Sequence, residues 1–219
     1  ALTGGLSFEG LNHTGDINRN LIVVFNDNGM SIDDNVGAMK DSFNENPENA
    51  KKYFELLGFD YWGPKDGHNI EEMVEIFTNS KKQNRPLVIH LKTEKGRSYD
   101  PATADKTRFH GCGPFDLESG IAVKNPGANK KYQDIFAETL IKMADDDKDV
   151  LAITAGMPSG TSLKKFQGAH PEKFYDVGIA EGHGTLFGAV LATQGLKPFV
   201  CIYSTFLQRA YDHIIHDCA

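Results

Sequence analysis

The sequence predicts an α/β protein made of two consecutive doubly wound parallel-sheet domains. Three observations carry that prediction. Short apolar runs such as "LIVVF" (21–25), "PLVIHL" (86–91) and "VLAIT" (150–154) read as strands. Stretches of helical length with apolar residues on one face separate them, which gives βαβ units and a parallel sheet. Between about Glu94 and Lys131 both patterns lapse, and afterwards the alternation resumes.

In the first half, "LTGGLSFEGLNHTGD" (2–16) spaces Leu6 and Leu11 as a short helix would. Leu21–Phe25 has no alternating polar residue and so reads as a strand buried on both faces. It runs straight into Asn26, Asp27, Asn28 and Gly29, a cluster that suits a turn and equally a ligand site at the end of a parallel strand. Residues 29–49 look like a loop, rich in Asn, Asp and Gly. A helix begins at Pro47, with proline in its first turn and Gly58 at its end. "DYWGPKDGHN" (60–69) is a short strand and turn. The next helix places Ile70, Met73, Val74 and Phe77 on one face, acids early and lysines late, as the helix dipole prefers. The strand at 85–93 carries His90, which reads as a satisfied core histidine.

In the second half, Tyr132, Phe136, Leu140 and Met143 fall in helical register, and "VLAIT" is a strand. A short helix follows over "SGTSLKKFQGAHP". "FYDVGIAE" is a strand ending on an acid, "GHGTLFGAVLATQGL" a helix, "KPFVCIYSTF" a strand and "QRAYDHIIHDCA" a helix start.

Composition excludes several function classes. The formal charge of -7, without a Lys/Arg block, argues against nucleic acid as a partner. No apolar run reaches membrane-spanning length, and the N-terminus has no signal-peptide pattern. Cys112, Cys201 and Cys218 are odd in number and show no CxxC pairing, so free thiols in a reducing compartment are expected. The chain opens without Met inside a helix entry and closes on "HIIHDCA", which suggests a fragment.

Polar clusters follow the strands at Asn26–Asn28, Lys95–Arg97, Met157–Thr161 and Ile179–His183, with a fifth in "YSTFLQR". In a doubly wound sheet all would lie along one edge, where such folds bind ligands. Glu181 is either a first-turn acid favouring the helix N-terminus or a partly buried carboxylate meeting a protonatable ring nitrogen. Tyr203, Phe206 and Arg209 offer an aromatic to stack on a flat heterocycle and a guanidinium for a phosphate; core packing and a solvated helix would also explain them. His213, His216 and Asp217 have a spacing that could suit a metal, without a further ligand to support it. His110 sits in a Gly/Pro-rich loop with no apolar period to account for it, and Cys112 nearby lacks the partners of a nucleophile.

"ALTGGLSFEGLNH", "NDNGMSI", "GFDYWGPKDGH", "KGRSYDPA", "FHGCGPFD", "AITAGMPSGTSL", "FYDVGIAEGHG" and "IYSTFLQRAYDHIIHD" occur in that order. Together they resemble the 1-deoxy-D-xylulose-5-phosphate synthase family, thiamine-diphosphate enzymes of the transketolase superfamily. The resemblance covers nearly the whole chain except residues 36–52. It implies two consecutive partial domains of the thiamine-diphosphate-binding fold. Residues 1–122 would be the C-terminal part of the domain that binds diphosphate and Mg²⁺, residues 123–131 a linker, and residues 132–219 the N-terminal part of the aminopyrimidine-binding domain. In this family the cofactor lies between the two domains.

By the same resemblance, Asn28 and the Met30 carbonyl match metal ligands. Lys95, Met157, Ile179 and Phe206 fall on the cofactor side, and Glu181 matches the glutamate paired with the pyrimidine ring nitrogen. Tyr203, Arg209 and His110 match substrate-side residues, with Arg209 near the sugar phosphate and His110 also a proton shuttle. The implied reaction is the decarboxylative condensation of pyruvate with glyceraldehyde 3-phosphate, which supplies a precursor of isoprenoids, thiamine and pyridoxal. A cytoplasmic homodimer is implied (in the plastid stroma, for a plant or alga).

The chain also departs from the family pattern. The Asp of a Gly-Asp-Gly metal motif would fall just before Ala1, so a charged metal ligand is missing. Gly29 stands where Glu is usual, Gly182 and Gly184 replace Gln and Ala, and the segment after Lys40 is short. The 219 residues alone are therefore expected to be inactive. Other readings are a transketolase-type ketol transferase, against which "YSTFLQRAYD" argues, and a catalytically silent binding module.

Overall fold

The computed structural model describes residues 2–123, 127 and 129–219. The linker expected at 123–131 falls in part on residues 124–126 and 128, which lie outside the described residues. The chain gathers into two units. One comprises Ala1–Met30 and Gly37–Lys106, the other Ser31–Val36 and Thr107–Ala219.

The first unit contains α1 (Gly5–Ile17), β1 (Ile22–Asp27), α2 (Ala38–Glu45), α3 (Pro47–Leu56), β2 (Asp60–Asp66), α4 (Ile70–Ser80), β3 (Leu87–Lys92) and α5 (Asp100–Ala104). Its three strands are parallel in the order β1-β3-β2. β3 is central because Leu87, Val88 and Ile89 are apolar on both faces, and all three are fully buried. One face meets Met73, Ile76 and Trp62; the other meets Leu11, Phe54 and Phe59.

Three sequence expectations are corrected in this unit. β1 is not buried on both faces: Val23 and Phe25 pack inward, while Ile22 and Val24 are exposed. It is an edge strand in the described sheet, and an apolar run cannot reveal its own place in the strand order. It also continues through Asn26 and Asp27, which pair in register with Leu91 and Lys92. The loop expected at 29–49 contains α2, anchored by buried Phe43, whose ring lies 6.1 Å from that of Phe25. On α4 the inward stripe is Met73, Ile76 and Ser80, whereas Ile70, Val74 and Phe77 face outward. Two overlapping apolar stripes satisfy the same helical period, and packing against β3 selected the other one.

The second unit contains a 3₁₀ turn (Arg108–His110), α6 (Tyr132–Asp146), β4 (Val150–Thr154), α7 (Leu163–Ala169), β5 (Phe174–Asp176), α8 (Glu181–Thr193) and β6 (Lys197–Cys201). Consecutive helical turns end it, among them α9 (Ser204–Leu207) and α10 (Tyr211–His213). Its strands are parallel in the order β5-β4-β6, and β4 is buried along its whole length. The core joins Leu140, Ala144, Val150, Ala152, Leu163 and Phe166.

Here too the helix stripe is rotated. α6 buries Ala137, Leu140 and Ala144, with Tyr132 and Met143 exposed, because small residues let the helix lie close to its neighbours. The strand expected over "FYDVGIAE" stops at Asp176, and Glu181 opens α8. The strand expected over "KPFVCIYSTF" stops at Cys201, where the chain turns into α9. All three cysteines are free thiols; burial pushes Cys201 up to about 12, so it is inert at neutral pH.

Candidate active site

Asp176, at the end of β5, organises the rim of the second sheet. Its Oδ1 accepts from Gly156 N at 2.8 Å and Gly178 N at 2.9 Å, tying the turn after β4 to the turn after β5. Burial raises its pKa above the usual carboxylate value, and those two N–H groups act against the rise. The turns they hold present Met157 and Ile179; Ile179 packs on Gly156. Two residues later Glu181 begins α8, only 4% exposed.

A carboxylate buried that far needs a partner, and Arg209 Nη1 donates to Glu181 Oε1 at 2.7 Å. The Arg209 guanidinium also lies 5.8 Å from the centre of the Phe206 ring. Phe206 and Tyr203 are nearly parallel, with centroids 6.0 Å apart and planes inclined by 16°. The Tyr203 N–H points to Met157 Sδ at 3.4 Å. Gly160 permits this arrangement, since a Cβ there would fall 1.8 Å from the Tyr203 hydroxyl.

Of the residues singled out in the sequence, the second unit thus joins five by contact, in the order Met157, Tyr203, Phe206, Arg209 and Glu181. His110 stands apart, exposed on its 3₁₀ turn in the same unit. Asn28, Met30 and Lys95 belong to the first unit. There the Asn28 side chain folds back, its Oδ1 accepting from Met30 N at 3.0 Å, so the loop is a turn as its composition suggested.

Sequence reasoning missed two groups. Asp33 is buried and accepts from Ser159 N at 3.0 Å, Ser159 Oγ at 2.5 Å and Lys164 Nζ at 2.8 Å, which docks residues 31–36 onto the loop after β4. Its only sequence signal was an acid in an Asn/Asp-rich stretch, indistinguishable from its neighbours. The other is a relay in the first unit. His90 is fully buried, as a core histidine should be, and its Nδ1 lies 2.5 Å from the Tyr61 hydroxyl. Its Nε2 lies 3.0 Å from Asp27 Oδ2, to which Lys92 also donates. The His90 bond, opposed by burial and assisted by Lys92, lowers Asp27 to about 2. Burial, with the Glu48 and Asp27 charges, pushes Tyr61 up to about 12.

Residues 128–219 match the family model "Transketolase, pyrimidine binding domain". Two parallel sheets with polar clusters at their strand ends, and this match over the second sheet, define a transketolase-like α/β protein. The more specific assignment comes from the other half, where residues 1–52 and 47–93 match the model "1-deoxy-D-xylulose-5-phosphate synthase". Curated proteins of that name agree. The chain is 45% identical to one from Listeria monocytogenes over 99% of its length and 37% of that protein's. It is 42% identical to "1-deoxy-D-xylulose-5-phosphate synthase 2" of Geobacter sulfurreducens over 99% of its length and 41% of that protein's. By sequence, the chain is similar to 1-deoxy-D-xylulose-5-phosphate synthases along nearly all of its length, and it spans about two fifths of the length of these relatives. The solved transketolase of Campylobacter jejuni is similar at 21% identity and a TM-score of 0.37, over 95% of this chain and 43% of that one, too low to bear on the assignment.

Proposed function

We propose that this chain is part of a 1-deoxy-D-xylulose-5-phosphate synthase, the enzyme that condenses pyruvate with glyceraldehyde 3-phosphate and releases CO₂, and that it does not turn over substrate by itself. The observation that carries this reading is Glu181: a buried carboxylate at the start of α8, held by Arg209, whose guanidinium faces the Phe206 ring on which Tyr203 is stacked.

These residues fit an aminopyrimidine. A carboxylate has lone pairs on both oxygens, so Glu181 can hold a proton on a ring nitrogen while Oε1 keeps the Arg209 bond. Phe206 offers an aromatic face to the heterocycle, and Met157 and Ile179 offer an apolar wall. Thiamine diphosphate, when bound, supplies the electron sink for decarboxylation of pyruvate. Lys95 contributes a cation on the diphosphate side. Arg209 and Tyr203 bind the sugar phosphate, and His110 moves protons at the substrate carbonyl.

Magnesium is different. Asn28 and the Met30 carbonyl are oxygen donors of a suitable kind, but both are neutral, and Asn28 Oδ1 already accepts from Met30 N. No group of three or more His, Cys, Asp or Glu able to hold a metal occurs among the described residues. The described residues do not make a magnesium site by themselves. No helix among them is long and apolar enough to cross a membrane. By the proposed function, the whole protein is placed in the cytoplasm as a homodimer.

The test is Glu181→Ala in the full protein that carries this chain. Product formation is expected to fall by roughly 10²–10⁴-fold while circular dichroism remains that of a folded protein. Wild-type turnover in the variant would overturn the role given to Glu181.

A further inference from the structure

Two features singled out in the sequence have no part in that reading: the glycine after Glu181, and the His213, His216 and Asp217 group. The structure brings them together. Gly182 is the second residue of α8, and a Cβ built on it would lie 2.9 Å from His213 Nε2 and 3.0 Å from His213 Cδ2. Carbon does not approach a ring that closely, so the imidazole occupies space that exists because residue 182 has no side chain.

The ring is held in that position. His213 Nδ1 lies 3.1 Å from Asp217 Oδ2, and His216 Nδ1 lies 2.8 Å from the other oxygen of the same carboxylate. Its bonds to His216 and His213 keep Asp217 below the usual carboxylate range, so it is an anion at neutral pH. An anion only accepts hydrogen bonds, so His213 Nδ1 carries the proton and Nε2 is turned toward Gly182. The Arg209 carbonyl lies 3.8 Å from the same Cβ position. The imidazole, the Arg209 main chain and the first turn of α8 therefore meet at one point, next to the carboxylate that the Arg209 side chain holds.

We propose that Gly182 and His213 are a matched pair, in which the imidazole, aimed by Asp217, props the first turn of α8 and so sets the position of Glu181. His213 is a positioning residue here, not a reacting group. The functional importance of the pair rests on the role proposed for Glu181, but its existence does not.

A double-mutant cycle in the full protein that carries this chain tests the pair. Gly182→Ala should lower Tm by several degrees, because the new methyl meets the ring. In the His213→Asn background, where an amide N–H still reaches Asp217 but the far edge of the ring is gone, the same change should leave Tm unchanged or raise it, since alanine favours a helix over glycine. Additive effects would overturn the pairing. If Gly182→Ala alone does not fold, recovery of folded protein on adding His213→Asn is the expected result, and failure to recover overturns it. Positioning is read from the ¹³C resonance of the Glu181 carboxyl, which should move in His213→Ala and return toward its starting value in His213→Gln. An unmoved Glu181 signal in His213→Ala would reduce His213 to packing. No measurement in this set uses cofactor or substrate, so an error in the proposed reaction would leave its outcome unchanged.

Discussion

Asp27 and Asp176 are carboxylates at strand ends whose surroundings act in opposite directions. For Asp27, the His90 bond and the Lys92 charge outweigh burial and bring the pKa from 3.8 to about 2. A folded value below the unfolded one means stability that is present above about pH 4 and lost as the pH falls toward 2. The depression corresponds to at most about 2 kcal/mol at neutral pH, since Lys92 is partly exposed. Asp27→Asn should therefore cost up to that amount in urea unfolding at pH 7 and much less near pH 2; an equal cost at both would show that the charge is irrelevant. Asp176 is raised by burial, so its contribution is fully present below the unfolded value and lost as the pH rises through the folded one. Both N–H groups that it accepts reach Oδ1, an atom that asparagine retains. Asp176→Asn should thus leave Tm at pH 7 unchanged or higher, and a loss above about 1 kcal/mol would mean that the charge itself is needed.

Helix starts were easier to foresee than helix faces or strand ends, because a cap is fixed by short-range chemistry. Asn46 accepts from Glu48 N at 3.0 Å and starts α3 just before Pro47; Asn69 accepts from Glu72 N at 3.1 Å and starts α4. Asn69→Ala should cost about 1 kcal/mol, seen as a lower urea midpoint with an unchanged slope, and no change would show that the cap is replaced by solvent. Faces depend on what the helix meets. Ile70, Val74 and Phe77 satisfied the helical period as well as Met73, Ile76 and Ser80 do, and only contact with β3 separates the two sets. The same ambiguity displaced the α6 stripe from Phe136 and Met143 to Ala137 and Ala144.

For the molecule as a whole, the two units hold separate sets of the predicted residues: Asn28, Met30 and Lys95 in one, the Glu181 group and His110 in the other. The metal donors named are neutral, and no group of three or more His, Cys, Asp or Glu able to hold a metal occurs among the described residues. Calorimetric titration of the 219-residue chain with thiamine diphosphate and Mg²⁺ should consequently give little heat. Tight binding that depends on Mg²⁺ would show that the first unit assembles a cation site that its side-chain positions do not suggest.

The sequence by itself determined the α/β class, the resemblance to 1-deoxy-D-xylulose-5-phosphate synthases, the helix starts at Pro47 and after Asn69, and the core character of His90. Each depends on residue type and near neighbours, and those are visible in a string. It also pointed to Glu181 and to the Tyr203, Phe206 and Arg209 group, but left a bland reading open beside the functional one and did not join the two. Tertiary structure decided that they touch, because a 2.7 Å ion pair between residues 28 positions apart is set by how α8 and the turns after β6 pack. It placed β1 at an edge and aimed Asp33 at Ser159, 126 positions away. It also gave Gly182 a purpose: a glycine's permissiveness is legible in sequence, whereas the ring that needs its empty space is known only when the chain has folded back upon it.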